Sequence, residues 1–169
     1  MGLPMLAIVW PGSWLLFLPI IILEALIGKR ILNINWGLAF KISSAANAAS
    51  TIVGIPITWF ALALPFWLIG AFALYLPLPE SINVAIMMPF YALWLPPIAE
   101  KQIWLIPLSA TILCLPFFYA SFILEKKIAA KLTSGVPSEL IRIWAFKSNL
   151  YSYGSICIFL IGLTLWLLI

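Results

Sequence analysis

The stretch ISSAANAASTIVGIPITWFALALPFWLIGAFALYL, residues 42–76, contains no charged side chain. As a single helix it would be about 50 Å long, whereas the hydrocarbon core of a bilayer is about 30 Å thick. It is therefore too long for one upright span. We expect a transmembrane span from Ile42 to Leu64, in which Pro56 is a tolerated kink, followed by an interfacial or re-entrant segment that starts at Pro65.

The composition extends this membrane character to the whole chain. Of 169 residues, 65% are hydrophobic and 8% are charged, whereas a soluble domain is about 25% charged. Spans of roughly 20 residues leave no room for a soluble domain of ordinary size. We therefore predict one all-α integral membrane domain over residues 1–169. Because residues 1–6 contain no basic side chain, we expect no cleaved signal peptide.

Hydropathy divides the chain into four predicted spans. They cover residues 6–27, 42–64, 103–124 and 150–169. A further apolar segment, residues 82–98, is interrupted by prolines at positions 89, 96 and 97. We expect this segment to form short broken helices in the outer leaflet without crossing the membrane. The predicted fold is thus an all-α, four-span helical bundle.

Basic residues determine the predicted orientation. They form two clusters, which the positive-inside rule places on the cytoplasmic side as topology or lipid-headgroup anchors: Lys29, Arg30, Lys41, Lys126, Lys127, Lys131, Arg142 and Lys147. Two crossings separate the clusters, so both termini are predicted to lie on the outer side. Trp36 and Trp144 then belong to the cytoplasmic aromatic belt. A bacterial inner membrane or a thylakoid membrane is the expected location.

Two parts of the chain are similar to each other in sequence. The matching segments are Ile22-Leu23-Glu24 with Ile123-Leu124-Glu125, Trp36–Lys41 with Trp144–Lys147, and the Asn-x-x-Ser tetrads at Asn47 and Asn149. The spacing from Lys41 to Asn47 is four residues longer than that from Lys147 to Asn149. Because this offset is about one helical turn, we expect the side-chain face to be nearly kept.

These matches predict two parallel-repeat hairpins. The first covers about residues 6–64 and the second about residues 102–169, and they would be related by an axis along the membrane normal. A broken-helix outer insert, about residues 65–101, lies between them. Chance similarity between short apolar segments is the alternative explanation.

The residue types that are missing limit the chemistry. The chain contains no His and no Asp. Zinc and haem sites depend on imidazole, and a serine nucleophile needs a nearby base. Cys114 and Cys157 lie in apolar runs, and their spacing matches no metal or redox motif. We therefore predict no catalytic residue, no metal site and no enzymatic activity.

Six polar residues of the two repeats form the main candidate site. They are called the polar cluster below: Glu24, Asn47, Ser50, Glu125, Asn149 and Ser152. A carboxylate inside a span should face protein or water, because exposure to lipid costs about 2.5–3.5 kcal/mol at the bilayer centre. We expect an interhelical clamp, in which each Glu bonds to its Asn or pairs with an adjacent Lys or Arg. A pseudo-symmetric site for a cation, a proton or a polar headgroup is the alternative.

Two flanking segments have predicted roles in packing and anchoring. Ser43, Asn47, Ser50 and Gly54 share one helix face, which favours close packing of span two at the bundle centre. Ser138 is predicted to cap a short amphipathic helix that includes Trp144. This helix is expected to lie on the membrane surface with its basic side towards anionic lipid.

The outer insert is apolar although it is not expected to cross. Its candidate partner-facing residues are Trp67, Tyr75, Met87, Met88, Tyr91 and Trp94. Large uncovered apolar surfaces are typical of interaction sites. We therefore expect a non-catalytic structural, accessory or assembly subunit of a larger membrane protein complex, such as an energy-transducing one.

The alternative function is a small oligomeric transporter or channel for a cation or polar solute, which would use the two Glu and two Asn side chains. Membrane lipids and other integral membrane subunits are the expected partners, and nucleic acid is not. The residues predict no cofactor, and contacts with lipid or pigment are left open. A membrane enzyme is disfavoured by the lack of Asp and His.

Overall fold

The fold consists of four long helices joined in pairs by short turns. The computed structural model describes residues 17–73, 79, 81–83, 86–87 and 103–169, and no strand occurs among them. The helices are α1 (Phe17–Leu32), α2 (Trp36–Ala73), α3 (Leu105–Leu132) and α4 (Ser138–Leu168). The all-α prediction is confirmed for these residues.

Three helices are long and apolar enough to cross a membrane. The qualifying stretches are Trp36–Ile57 of α2 and the whole of α3 and α4. The described part of α1 has 16 residues. The predicted first span, residues 6–27, begins outside the described residues.

Local chemistry explains where the turn between α1 and α2 forms. Asn33 adopts a φ of 53°, which Asn tolerates better than most residues because its short side chain fits the left-handed region. Asn35 then caps α2, since its Oδ1 accepts a 2.8 Å hydrogen bond from the backbone N–H of Leu38. This cap turns the chain back after only three residues and makes α1 and α2 antiparallel.

The turn between α3 and α4 differs from the one predicted. At the end of α3, the Thr133 hydroxyl donates to the carbonyl of Ala129, and Gly135 takes a φ of 89°. Pro137 occupies the N-cap position of α4 and no side chain caps the helix, so the prediction that Ser138 is the cap is wrong. Pro137 sets the entry of the chain because its ring restricts φ.

The four helices form a closed ring. The packed pairs are α1 with α2, α2 with α3, α3 with α4, and α4 with α1. Both short turns lie at the same end of the ring, because Trp144 near the start of α4 contacts Glu24 towards the end of α1. The basic clusters of the two turns therefore share one end of the bundle.

Two apolar clusters fill the ring. Near the turns, residues from all four helices pack together: Leu32, Ile42, Ala46, Ala129, Ile141, Trp144 and Ala145. Farther along α3 and α4 lies a second cluster of Ala110, Leu113, Cys114, Tyr153 and Leu160. The polar cluster is buried in the same bundle, towards the turn end.

The predicted end of the second helix needs correction. α2 does not end at Leu64 but continues through Pro65 to Ala73, so the first residues assigned to the insert extend this helix. Proline in an apolar helix removes one hydrogen bond without necessarily ending the helix, because neighbouring groups can satisfy the released carbonyl. Most of the remaining insert lies outside the described residues.

The predicted surface helix does not exist as a separate element. Residues 138–168 form one continuous helix, which at about 1.5 Å per residue is about 46 Å long. A helix of this length exceeds the hydrocarbon core, so its first turns can carry the basic residues beyond the apolar region. No break separates an interfacial helix from a span.

Candidate functional site

The structure brings the six residues of the polar cluster together in the interior of the bundle. Glu24, Glu125 and Asn149 have 0% exposed surface. Asn47, Ser50 and Ser152 are at most 2% exposed. Their positions on four different helices make the cluster a layer that crosses the bundle.

The first half of the cluster joins α1 to α2. Asn47 Nδ2 donates a short hydrogen bond to Glu24 Oε2 and a second one, of 2.9 Å, to the carbonyl of Ser43. The Ser43 hydroxyl lies 3.4 Å from the same Glu24 oxygen and donates to the carbonyl of Ile21 at 3.0 Å. Glu24 Oε2 is therefore the carboxyl oxygen that both side chains of α2 contact.

The second half joins α3 to α4 with the same geometry. Asn149 Nδ2 donates to Glu125 Oε2 at 2.6 Å and to the carbonyl of Ala145 at 2.9 Å. In both halves the amide also bonds to the backbone four residues earlier. Since a carbonyl can only accept, this second bond fixes which amide atom is nitrogen and which is oxygen.

One serine connects the halves. The Ser50 hydroxyl on α2 lies 3.2 Å from Glu125 Oε1 on α3 and 3.1 Å from the carbonyl oxygen of Asn47. On α4, the Ser152 hydroxyl bonds within its own helix, to the carbonyls of Ser148 and Asn149. The side-chain contacts of the cluster thus join α1 to α2, α2 to α3 and α3 to α4.

Four buried polar atoms of this layer have no hydrogen-bond partner among the described residues. They are Glu24 Oε1, Asn47 Oδ1, Asn149 Oδ1 and Ser148 Oγ. Three of the four can only accept a hydrogen bond unless the carboxyl group is protonated. A buried acceptor without a partner is costly, so these atoms mark the chemically unusual part of the bundle.

Of the two alternatives for each carboxylate, the bond to Asn is formed and the pairing with an adjacent basic residue is not. The Lys29 ammonium instead lies 4.3 Å from the centroid of the Trp36 ring, and the Lys126 ammonium lies 5.6 Å from that of Phe122. These cations can stay near water, whereas a cation drawn to Glu24 or Glu125 would have to enter the bundle interior. Neither carboxylate forms an ion pair within the described ranges.

The eight predicted anchor residues lie around the turn end of the bundle. Lys29 and Lys126 are half-buried, and the exposed ones are Arg30, Lys41, Lys127, Lys131, Arg142 and Lys147. Arg142 forms a two-contact ion pair with Glu139, with its shorter N–O distance 2.5 Å. Their shared position is compatible with contact to lipid headgroups.

Trp144 is the important residue that the sequence placed incorrectly. It is 1% exposed, and its indole Nε1 donates to the backbone carbonyl of Glu24 at 3.1 Å. It therefore belongs to the α1–α4 contact and not to an aromatic belt. Its sequence match Trp36 is 42% exposed, so the two tryptophans do not occupy equivalent places.

The absence of a side chain at Gly28 makes the position of Trp144 possible. A Cβ atom at Gly28 would lie 3.0 Å from Trp144 Nε1. The residue spacing within either hairpin does not predict this contact, because Gly28 and Trp144 lie in different hairpins. The Ser121 and Tyr153 hydroxyls, 2.9 Å apart, form another interhelical contact that sequence reasoning missed.

The predicted partner-facing residues are described only in part. Trp67 is 73% exposed on α2, and Met87 is half-buried. The other four, Tyr75, Met88, Tyr91 and Trp94, lie outside the described residues.

The cluster offers carboxyl, amide and hydroxyl oxygens as ligands and hydrogen-bonding groups. In the parts of the chain that the structure describes, no three His, Cys, Asp or Glu side chains lie close enough together to hold a metal ion. The chemistry available to these side chains is interhelical bonding and the coordination of hard ions by oxygen.

No protein-family model matches the chain, and no curated protein or solved structure is significantly similar to it.

Proposed function

We propose that this protein is a non-catalytic structural or accessory subunit of a larger membrane protein complex. The observation that carries the proposal is the length and apolar surface of α2. The helix has 38 residues and is therefore about 57 Å long. This is nearly twice the thickness of a hydrocarbon core.

The second half of α2 exposes large apolar side chains. Phe60 is 74% exposed, Leu64 is 64% exposed and Leu68 is 53% exposed. Leu68 follows Lys41 by 27 positions, so it lies about 40 Å from that basic residue along an upright helix. With Lys41 at the membrane surface, Leu68 would lie beyond a hydrocarbon core of about 30 Å, and a neighbouring subunit is the cover that we propose for this surface.

The polar cluster supports the same role from the inside of the molecule. Its side chains bond helix to helix, and within a membrane such bonds and close packing hold a bundle together. The lipid-facing surface then remains apolar and available for contacts with other subunits. Lipids and integral membrane subunits are the partners that we propose, and nucleic acid is not among them.

We also propose a specific topology. It has four spans, the first of them predicted from the sequence at residues 6–27, with the turns in the cytoplasm and both termini outside. The three apolar helices and the common position of the basic clusters support it. The matching Glu–Asn contacts of the two hairpins support their origin as parallel repeats. The location that we propose is a bacterial inner membrane or a thylakoid membrane.

One observation favours a second function. The unpartnered oxygens of Glu24, Asn47 and Asn149 are suitable for the passage of a cation or a proton through an oligomer. In that case Glu24→Gln and Glu125→Gln would abolish flux in proteoliposomes while assembly is retained. Loss of assembly without a defect in flux would exclude the transporter.

The decisive experiment is extraction of the native protein in mild detergent, followed by size-exclusion chromatography, mass spectrometry and an absorption spectrum of the peak. Stoichiometric co-migration with other membrane subunits is the expected result. Migration as a colourless homo-oligomer would overturn the subunit proposal.

Matched variants locate the contact surface. Leu64→Ala and Leu68→Ala should weaken co-migration, because these side chains lie on the proposed interface. Leu115→Ala and Ile158→Ala are controls, since both residues are 75% exposed on other helices. Equal weakening by the controls would show that general destabilisation, and not the α2 surface, is responsible.

A further inference from the structure

We propose that the polar cluster binds a hard cation, coordinated by the unpartnered oxygens of Glu24, Asn47 and Asn149. Such a bound ion would hold the two hairpins together. The inference does not depend on the subunit role, because it concerns the interior of the bundle alone.

The first argument is geometric. Glu24 bonds to Asn47, Ser50 bonds to Glu125, and Glu125 bonds to Asn149, so these side chains share one layer. Each unpartnered oxygen is attached to the same carbon atom as an engaged atom of that layer. All three oxygens therefore belong to the buried polar cluster.

The second argument is the identity of the unpartnered atoms. Both Asn nitrogens are engaged by a carboxylate and by a backbone carbonyl, which leaves both Oδ1 atoms unpartnered. Rotating either amide would place its oxygen against two acceptors, so the orientation is fixed. Amide and carboxylate oxygens without donors are the ligands of hard cations.

The third argument is charge. Glu24 and Glu125 are both fully buried, and no basic side chain in the described ranges pairs with them. A buried carboxylate without a counter-charge is strongly disfavoured. A cation between the hairpins supplies this charge and satisfies the acceptors at the same time. Ser148 Oγ, on the residue before Asn149, is also unpartnered.

The test is a cation titration of the purified full chain in detergent. Na⁺, K⁺, Mg²⁺ and Ca²⁺ chlorides are each added in place of N-methylglucamine chloride at constant ionic strength. Unfolding is followed by labelling of Cys114, which is 3% exposed in the folded protein, with a maleimide dye. A ligand that binds only the folded state raises Tm in a saturable way.

We expect at least one of these cations to raise Tm by about 3 °C or more and to saturate, as for a single site. Glu24→Gln should remove most of this response, because it takes away the only charged member of the three ligands. Glu139→Gln is the matched control, since this Glu is exposed and pairs with Arg142, and it should respond like the wild type.

The wild-type titration alone can overturn the proposal, even if the Gln variant does not fold. Equal Tm values in all five salts would show that protons or water satisfy the cluster. An equal cation response in Glu24→Gln and in the wild type would place the binding site elsewhere. Either result would leave the proposed subunit role unaffected.

Discussion

The two halves of the polar cluster share their hydrogen bonds but not their packing. In each half an Asn binds a Glu of the preceding helix and the backbone carbonyl four residues earlier. Around this shared core, the neighbouring positions differ in size. Four residues after the Glu stands Gly28 in the first half and Ala129 in the second.

The facing helices have the complementary difference. Five residues before the Asn stands Trp144 in the second hairpin and Ile42 in the first, and both side chains are 1% exposed. The large indole fits only because Gly28 has no side chain. The comparison teaches that the Glu–Asn bond recurs in both halves, whereas the packing assigns each helix one particular neighbour.

Removing the large member of this packing should have the largest effect. Trp144→Ala would leave a cavity between α1 and α4 and would remove the hydrogen bond to the Glu24 carbonyl. We expect the free energy of unfolding to fall by about 3–5 kcal/mol. Reversible unfolding in mixed detergent micelles measures this change. Trp36→Ala is the control, because Trp36 is 42% exposed and should cost much less.

The Asn residues test whether the two clamps are equally strong. Asn149→Leu removes the donor to Glu125 Oε2, and we expect a loss of about 1.5–3 kcal/mol, as for hydrogen bonds to charged groups. Asn47→Leu should cost less, because the Ser43 hydroxyl remains 3.4 Å from Glu24 Oε2. The same unfolding assay compares the two variants. A larger loss for Asn47→Leu would contradict a contribution of Ser43 to the Glu24 contact.

Filling the space at Gly28 tests the packing from the other side. Gly28→Ala places a methyl group 3.0 Å from Trp144 Nε1, and the buried, hydrogen-bonded ring has little room to move. We expect a destabilisation of about 1–3 kcal/mol, as for overpacked cores. Gly37→Ala serves as the control, since its added Cβ would lie 3.6 Å from Asn35 Oδ1, an ordinary contact. If both variants are equally stable, the close contact at Gly28 is not a constraint.

The smallest effect is expected at Ser43, the position at which the first half carries an additional hydroxyl. Ser43→Ala makes this position equal to Ala145 of the second half. We expect a loss of about 0.6 kcal/mol, the average for a polar contact between membrane helices. A double-mutant cycle with Asn47→Leu measures the coupling of the two donors. Strict additivity would indicate that Ser43 does not contribute to the Glu24 contact.

Several features of the site were predictable because they follow from position along a helix. Glu24 and Asn47 are placed at similar depth by the rise of an α-helix and a three-residue turn, and Glu125 and Asn149 repeat this arrangement. The carboxylates had to face protein, since lipid exposure is costly. For this reason the pairing of each Glu with an Asn was expected, although pairing with Lys or Arg was an open alternative.

Other features could not be predicted because they depend on which helix faces which. Large apolar side chains can face either lipid or protein, so hydropathy does not assign the sides of a membrane helix. The burial of Trp144 against Gly28 and the bond of Ser50 to Glu125 in the opposite hairpin depend on that choice. The continuation of α2 past Pro65 also required the surrounding structure, because proline permits a helix to continue as well as to end.

By itself, the sequence determined that this is an all-α chain of membrane composition, that its basic residues group in two clusters, and that each buried Glu lies at the depth of an Asn. These properties depend on composition and on the helical rise, which are local. Only the tertiary structure decided the order of the helices around the ring. It also decided that Lys29 and Lys126 lie over aromatic rings, and which three oxygens have no donor. Those properties depend on the rotation of each helix about its axis, which is set by contacts between residues far apart in the chain.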